Sequence, residues 1–311
     1  MPGSGQREGQ AWTAAAAVVS VALWASTFAV FKLVFHRLDP LAFTGARYLL
    51  LVPLAAGYLW RGRGTSAASP KDRRAAIVAG LLGYFLLEFL FVLGLARTTA
   101  VASAVLVATH PMWGVLFASL AARHRPPVRA VVGLLVGIAG VVVFVGAAGL
   151  GAVRAGDLLS LAAAIAFGAY AAIIERIGAR VPQGEMVATS LLSGGIALVL
   201  VSAPAMLRQD WSAAVPGDWL GIAYGALGSV LLGFALWAWA LKRRGMARTA
   251  PFGYLEPVFA SALAVVVLGE TFATHQFVGG ALVLAGVIAA ASAEAGLTPG
   301  ATVDVAATMR P

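Results

Sequence analysis

Long apolar runs separated by short polar segments make up nearly the whole chain. An α-helix needs about 20 residues to cross the hydrocarbon core of a bilayer. Ten runs approach that length: 12–34, 41–59, 75–95, 99–121, 129–147, 156–175, 186–206, 219–241, 248–268 and 275–293. The pattern therefore predicts an all-α integral membrane protein with ten transmembrane helices. We expect the first run to be retained as a span, because no convincing small-residue cleavage site follows it.

Composition agrees with a lipid environment. Hydrophobic residues make up 60% of the 311 residues and charged residues only 11%, about half the charged share of a soluble domain. The net charge of +9 is spread in short clusters between the apolar runs, so no nucleic-acid partner is predicted. Because the chain has no cysteine, disulfides, thiol catalysis and cysteine metal sites are excluded.

The loop charges predict an orientation. Of the 22 Lys and Arg residues, sixteen fall on the side of the N-terminus, two lie within spans, and four occupy the opposite loops: Arg37, Arg97, Arg154 and Arg208. Cytoplasmic loops carry an excess of Lys and Arg. Both ends of the chain are therefore predicted to be cytoplasmic, in a multi-pass protein of a cell (inner) membrane.

The chain also repeats itself after 146 residues. The shift places Pro111 on Pro257, Gly133 on Gly279, and Ala139-Gly140 on Ala285-Gly286 without a gap. Five spans per half is an odd number, so the halves cross the membrane in opposite directions, as in many secondary transporters. The predicted units are a tail at 1–11, a first repeat at 12–147, a linker at 148–155, a second repeat at 156–293 and a tail at 294–311.

Several motifs follow a known family. In the second half they are WALKR at 239–243, YLEPVFA at 254–260, LGE at 268–270 and glycines at 279–286. In the first half they are LWASTFAVFK at 23–32, ARY at 46–48 and THP at 109–111, and GDLLSLAAAIAFGAY at 156–170 opens the second repeat. Over about 12–293 the chain resembles the EamA family of the drug/metabolite transporter superfamily.

The resemblance implies a ten-helix fold of two inverted five-helix repeats. It implies a central cavity lined by the first, third, fourth, sixth, eighth and ninth spans, and a peripheral last span in each repeat. Family members export amino acids, metabolites or toxic compounds, often against proton uptake. One departure is visible: where the second half has Gly269-Glu270, the first has Arg123-His124.

Glu256-Pro257 is the most costly sequence inside a span. Proline removes one helical N–H, and a carboxylate at membrane depth costs at least about 2.5–3.5 kcal/mol. One interpretation is a cavity carboxylate that binds an amine, another cation or a proton. The other is a protonated glutamate that seals the kink. Pro111 and Pro257 are predicted hinges, because they bend equivalent helices from the two halves.

Glu88 and His110 are further candidates, since both lie near mid-depth by residue count on adjacent spans. Such a pair could exchange a proton near neutral pH. The alternative is a satisfied structural pair, or a histidine that fills the gap at the kink.

The remaining candidates are rim charges and aromatic residues. Lys32 and Arg47 flank the first outer loop, where they attract carboxylates or extend to the headgroups. Tyr254, Trp24 and Tyr170 either line a substrate cavity or pack between helices.

Taken together, the sequence predicts a secondary transporter that exports small amphiphilic metabolites such as amino acids by alternating access, with proton coupling as a hypothesis. Its predicted partners are the substrate, the lipid bilayer and, under the coupling hypothesis, protons, and the predicted state is a monomer or homodimer. Motifs for metalloproteases, serine hydrolases and P-loop nucleotide binding are absent, so we expect no enzyme activity, metal or cofactor. A membrane-embedded enzyme acting on a lipid and a passive channel are the alternatives.

Overall fold

The structure is a computed structural model that describes residues 4–62, 68–123, 125–126, 128–146, 154–178, 180–244, 249, 252–271 and 273–295. All regular structure in these ranges is helical, and they contain no strand. Most of the predicted linker, the tail beyond residue 295 and His124 lie outside the described residues.

The helices follow the apolar runs. They are α1 (Ser4–Val34), α2 (Pro40–Arg61), α3 (Pro70–Gly80), α4 (Leu87–Arg97), α5 (Ala100–Val107), α6 (His110–Ala121), α7 (Val128–Gly146), α8 (Ala155–Gly178), α9 (Gln183–Arg208), α10 (Pro216–Ala223), α11 (Phe234–Arg244), α12 (Glu256–Leu268) and α13 (Thr274–Ala295). A π-helical segment, Leu81–Leu86, joins α3 to α4, and a second one, Tyr224–Gly233, joins α10 to α11. A short 3₁₀ turn covers Trp211–Ala213.

The prediction of an all-helical membrane protein is confirmed. Within the described residues, seven helical stretches are long and apolar enough to cross a membrane, and they fall on seven of the ten predicted spans. The other three predicted spans, the fifth, ninth and tenth, fall on shorter apolar helices at Val128–Phe144, Glu256–Leu268 and Thr274–Ala290.

Proline sets the start of three of these helices. Pro40, Pro70 and Pro216 each lie in a first turn, where the missing N–H has no helical partner to lose. The start of α2 is also capped by Asp39, whose carboxylate accepts hydrogen bonds from the N–H groups of Leu41 (2.8 Å) and Ala42 (3.1 Å). Local sequence therefore determines where these three helices begin.

Helix packing follows the 146-residue shift. The first helix of one half, α1, packs on α11 and α12, and its counterpart α8 packs on α4 and α6. The pairs α2–α9 and α7–α13 each join a helix to its own counterpart. The two π-helical segments also coincide, because the shift places Leu81–Leu86 at 227–232, inside the second segment.

Glycines bring the backbones of α7 and α13 together. A Cβ at Gly133 would lie 2.5 Å from the Ala290 nitrogen, and one at Gly286 would lie 2.5 Å from the Gly137 nitrogen. A Cβ at Gly279 would likewise lie 2.5 Å from the Phe144 nitrogen. The helices therefore run antiparallel in close contact, as small residues allow in lipid.

We expect Gly286→Val to destabilise the protein, because its side chain would overlap the backbone of α7, which cannot move aside as a flexible side chain can. Overpacking costs about 1–3 kcal/mol or more, so the melting temperature in detergent should fall by several degrees. Gly57→Val is the matched control, since a Cβ at Gly57 meets nothing within 4 Å. Equal melting temperatures for the two variants would contradict the close α7–α13 contact.

Candidate functional site

Two helices begin at equivalent places inside the fold. Helix α6 starts at His110-Pro111 and α12 starts at Glu256-Pro257, 146 residues later. Each is preceded by a two-residue turn. Thr109 (φ −74°, ψ −10°) and Leu255 (φ −76°, ψ −17°) keep nearly helical angles, so the chain bends without reversing. The sequence predicts a kink at each proline, and the structure has a two-residue turn just before each one, where one helix ends and the next begins.

The break in the first half is closed by side chains. The hydroxyl of Thr109 donates a hydrogen bond to the Leu106 carbonyl at 2.7 Å and accepts one from the Trp113 indole at 3.2 Å. Thr109 is fully buried. Its counterpart, Leu255, has no polar side chain and cannot make the same pair of hydrogen bonds.

His110 and Glu256 therefore hold equivalent positions in different surroundings. The imidazole of His110 lies against the Phe167 ring, with centroids 4.2 Å apart and planes tilted by 34°. Glu256 is half-buried, and its carboxylate makes no hydrogen bond or ion pair with any residue that the structure describes. One helical turn before it, a Cβ on Gly253 would meet the Trp237 ring at 3.8 Å.

Glu88 forms an ion pair with Arg47. The Nη1 atom of Arg47 lies 3.2 Å from Glu88 Oε2, and Nη2 donates to the Gly225 carbonyl at 3.2 Å. The guanidinium carbon lies 4.4 Å from the centre of the Phe31 ring. The Arg47 side chain is 1% exposed and that of Glu88 is 17% exposed. The pair therefore joins α2 and α4 to the second π-helical segment, across the two halves.

This geometry corrects two predictions. Arg47 is not a rim charge, because Glu88, a carbonyl and an aromatic face replace water around its guanidinium. Glu88 does not pair with His110: among the ion pairs formed by the described residues, its partner is Arg47. Close approach requires Gly225, where a Cβ would lie 2.5 Å from Arg47 Nε.

The predicted aromatic residues lie on both halves. Trp24 donates a hydrogen bond to the Ser229 carbonyl at 3.0 Å, and its ring packs on Phe234 and Trp237 at 5.0 and 5.3 Å. Its counterpart Tyr170 packs edge-on against Tyr84 at 5.8 Å. Both Trp24 and Tyr170 are half-buried.

Other polar contacts lie close to these rings. The hydroxyls of Ser26 and Tyr224 form a hydrogen bond between α1 and the second π-helical segment. Tyr254 is half-buried against the main apolar core. The contacts seen at the predicted aromatic positions are therefore packing contacts.

Lys32 remains near the end of α1, half-buried and within electrostatic range of Glu270. The carboxylate of Glu270 accepts hydrogen bonds from the N–H groups of Ala100 (2.7 Å) and Val101 (2.9 Å), the first residues of α5. Gly269, just before it, has a positive φ of 67°. The Gly-Glu motif thus ends α12 and caps a helix of the opposite half.

The counterpart of Gly269 is Arg123, which also adopts a positive φ, 56°. A non-glycine residue in this region is uncommon. The backbone of the first half thus keeps the turn even though its Gly-Glu sequence is lost.

Replacing Glu270 by alanine should destabilise the start of α5. Two charged hydrogen bonds to orphan N–H groups disappear, at an expected cost of about 1–2 kcal/mol. Thermal unfolding in detergent measures the loss, with exposed Glu175→Ala as the control. An unchanged melting temperature would show that the cap contributes nothing to stability.

Sequence reasoning missed two ion pairs at the ends of the bundle, Arg37–Asp218 and Arg180–Asp72. Their signal was present in the repeat, because the shift places Pro70-Lys71-Asp72 on Pro216-Gly217-Asp218.

The fold and these interior polar groups define a class: a multi-pass helical membrane protein with charged side chains held between its two halves. Residues 11–146 and 154–292 each match the EamA-like transporter family. The chain belongs to that family, and the resemblance inferred from its motifs is confirmed.

Similar proteins carry transporter names. The chain is 28% identical over 275 residues to a protein of Streptantibioticus cattleyicolor named a probable terminal-alkyne amino-acid exporter, with 88% of this chain and 91% of that protein covered. It is 27% identical over 286 residues to a probable amino-acid metabolite efflux pump of Salmonella typhimurium, with 87% and 91% covered. These names indicate transport of small molecules across a membrane and not catalysis.

One solved crystal structure has the same fold. It superposes with a TM-score of 0.59 at 23% identity and covers 92% of this chain and 99% of its own.

Proposed function

We propose that this protein is a secondary transporter of the inner membrane that exports small metabolites, with amino acids and related compounds as the substrate class. Two inverted five-helix repeats, 12–147 and 156–293, would rock about a site between them, with both termini in the cytoplasm. Energy comes from a gradient, and a proton is the proposed coupling ion.

The observation that carries the proposal is the pair of helix breaks at His110-Pro111 and Glu256-Pro257. They belong to the two segments that match the family separately, and both lie at the first turn of a helix. Broken helices at membrane depth are tolerated where they are buried in protein or line a water-filled cavity. In secondary transporters they surround the substrate site, so Pro111 and Pro257 are the proposed hinges.

The chemistry of the breaks fits an amphiphilic amine with a carboxylate. Glu256 is a half-buried carboxylate that offers an unoccupied partner to an ammonium group. The N-terminal ends of α6 and α12 carry partial positive charge, which suits a carboxylate. Trp24, Tyr170 and Tyr254 provide aromatic surface for an apolar side chain.

Names of similar proteins support the same substrate class, since one is called an amino-acid exporter and another an amino-acid metabolite efflux pump. Glu256 and His110 are the proposed proton carriers, each inside the fold and at equivalent positions. Glu88 is assigned to holding Arg47 in place, not to carrying a proton.

Export is tested by expressing the protein in a bacterial host and comparing metabolites in the medium by untargeted mass spectrometry. The controls are an empty vector and Glu256→Gln expressed at the same level. We expect an amino-acid-like compound to be enriched outside only with the unmodified protein. That compound should then exchange across liposomes that contain the purified protein.

Two other outcomes would overturn the proposal. A compound that is newly made, and present inside and outside alike, would identify an enzyme. Flux in liposomes that ignores every imposed ion gradient and shows no exchange would identify a channel.

A further inference from the structure

Asp72 and Asp218 are 146 residues apart, and each lies in the first turn of a helix. Each binds an arginine from the opposite half of the chain. The carboxylate of Asp218 accepts hydrogen bonds from Arg37 Nε (2.8 Å) and Nη2 (2.9 Å). Asp72 Oδ1 accepts them from Arg180 Nε (3.1 Å) and Nη2 (2.8 Å). The arginines follow α1 and α8, which are themselves counterparts. The two ion pairs are therefore equivalent contacts. In one the first half supplies the arginine and the second half the aspartate, and in the other these roles are reversed.

The two aspartates are fixed to their own helices. Asp218 Oδ2 accepts a hydrogen bond from the Val215 N–H at 3.0 Å, and Asp72 Oδ2 accepts one from the Ser69 hydroxyl at 2.7 Å. The Asp218 and Asp72 side chains are 0% and 10% exposed, whereas Arg37 and Arg180 are 44% and 55% exposed. Each pair thus consists of a fixed, covered acid and a partly exposed arginine that can withdraw into water.

The pairs lie at opposite ends of the bundle. Arg37 precedes helix α2, and Asp72 follows the far end of that helix, which has 22 residues. At 1.5 Å per residue the two ends are about 33 Å apart. In the proposed orientation, Arg37–Asp218 is the outer ion pair and Arg180–Asp72 is the inner ion pair.

We propose that these two ion pairs hold the outer and inner ends of the transport pathway closed, and that each opens in alternate half-cycles. The inference rests on the proposed function, because it assigns the pairs a role in alternating access. Each joins one half to the other, so rocking that opens one end must separate the arginine from the aspartate there. The other pair can persist, because the opposite end stays together. Both pairs are formed in this structure.

The absence of cysteine from the chain allows a direct test. Ser26, half-buried beside Tyr224 between the halves, is replaced by cysteine as a reporter. Labelling by a membrane-impermeant methanethiosulfonate is then measured in right-side-out and inside-out vesicles. We expect Asp218→Asn to raise labelling from outside about fivefold and lower it from inside, as loss of about 1 kcal/mol of closing interaction predicts. Asp72→Asn should do the reverse.

Two sets of variants keep the test interpretable. Arg208→Gln and Arg61→Gln remove exposed charges near the two ends without touching either pair, and should leave the labelling ratio unchanged. If Asp218→Asn does not fold, Arg37→Lys keeps the charge but loses the two-point contact, and should shift labelling in the same direction.

The labelling assay needs no substrate, so its failure and the failure of the proposed function are separable. Folded variants at both ends that leave the ratio unchanged, or shift it to the same side, would overturn the ion pairs as closures. Opposite shifts without any detectable export would retain the closures and overturn the exporter assignment. Normal export with an unchanged labelling ratio would retain the exporter assignment and overturn the ion pairs as closures.

Discussion

Glu88→Leu should destabilise the folded protein by about 3–5 kcal/mol, the usual cost of leaving one member of a buried ion pair without its partner. The Arg47 side chain is 1% exposed, so water cannot replace the lost carboxylate. The remaining contacts, the Gly225 carbonyl and the Phe31 ring, do not neutralise the charge. Arginine cannot lose its proton inside a protein. The result should be a lower melting temperature in detergent, or poor membrane yield.

A double variant separates the charge effect from lost packing. Arg47→Met with Glu88→Leu removes both charges and keeps apolar volume, so it should be more stable than Glu88→Leu alone. Arg61→Met, an exposed charge at the end of the same helix, is the control and should melt like the unmodified protein. If the double variant were the least stable, the buried pair would be a net source of stability. The cost assigned to burying Arg47 without its partner would then be wrong.

The surroundings of Arg47 could not be predicted from the sequence. The sequence places it seven residues into a span, but which way the helix faces depends on packing with α4 and the second π-helical segment. Neither the π-helical segment nor the approach permitted by Gly225 leaves a local signal, so Arg47 was assigned to the rim and Glu88 to His110. The pairing of Glu88 with His110 rested on depth alone, whereas the rim position of Arg47 rested on its place beside the first outer loop.

The breaks at His110-Pro111 and Glu256-Pro257, by contrast, were predictable because their cause is local. Proline acts on its own turn of helix, and the 146-residue shift marks both positions at once. The same shift aligned Asp72 with Asp218, yet the paired arginines escaped notice. Arg37 and Arg180 are three residues out of register with each other, because 37 plus 146 is 183. Loop residues can reach the same partner from different positions, and an ungapped comparison cannot detect that.

The local sequence therefore accounts for the helices and their breaks, whereas contacts between helices required the structure. Within the described residues, each half has a broken helix, a π-helical segment and an aspartate in a first helical turn that binds an arginine of the other half. At the breaks the two halves differ in their ionisable residue, which is a histidine in the first half and a glutamate in the second. Under the proposed function, these two residues are the candidates for chemistry that distinguishes the two sides of a transport cycle.

Glu256→Gln should abolish proton-driven export, at least tenfold below the unmodified protein, while the variant remains folded and inserted. Glutamine keeps the size and the hydrogen-bonding oxygen of glutamate, but it cannot release a proton or carry a negative charge. A carboxylate at this depth costs about 2.5–3.5 kcal/mol or more when charged and unpaired. Under the proposed function, a proton or a substrate ammonium group neutralises Glu256, and competition between the two couples their movements.

The measurement is substrate flux in liposomes, with and without an imposed pH gradient. Exchange of substrate without a gradient should also fall if Glu256 binds the ammonium group, and should persist if it carries only the proton. Glu175→Gln, an exposed glutamate at the end of α8, provides the matched control and should retain the full response to pH. Full gradient-driven flux through folded Glu256→Gln would remove Glu256 from the coupling mechanism and leave it as a residue that seals the helix break.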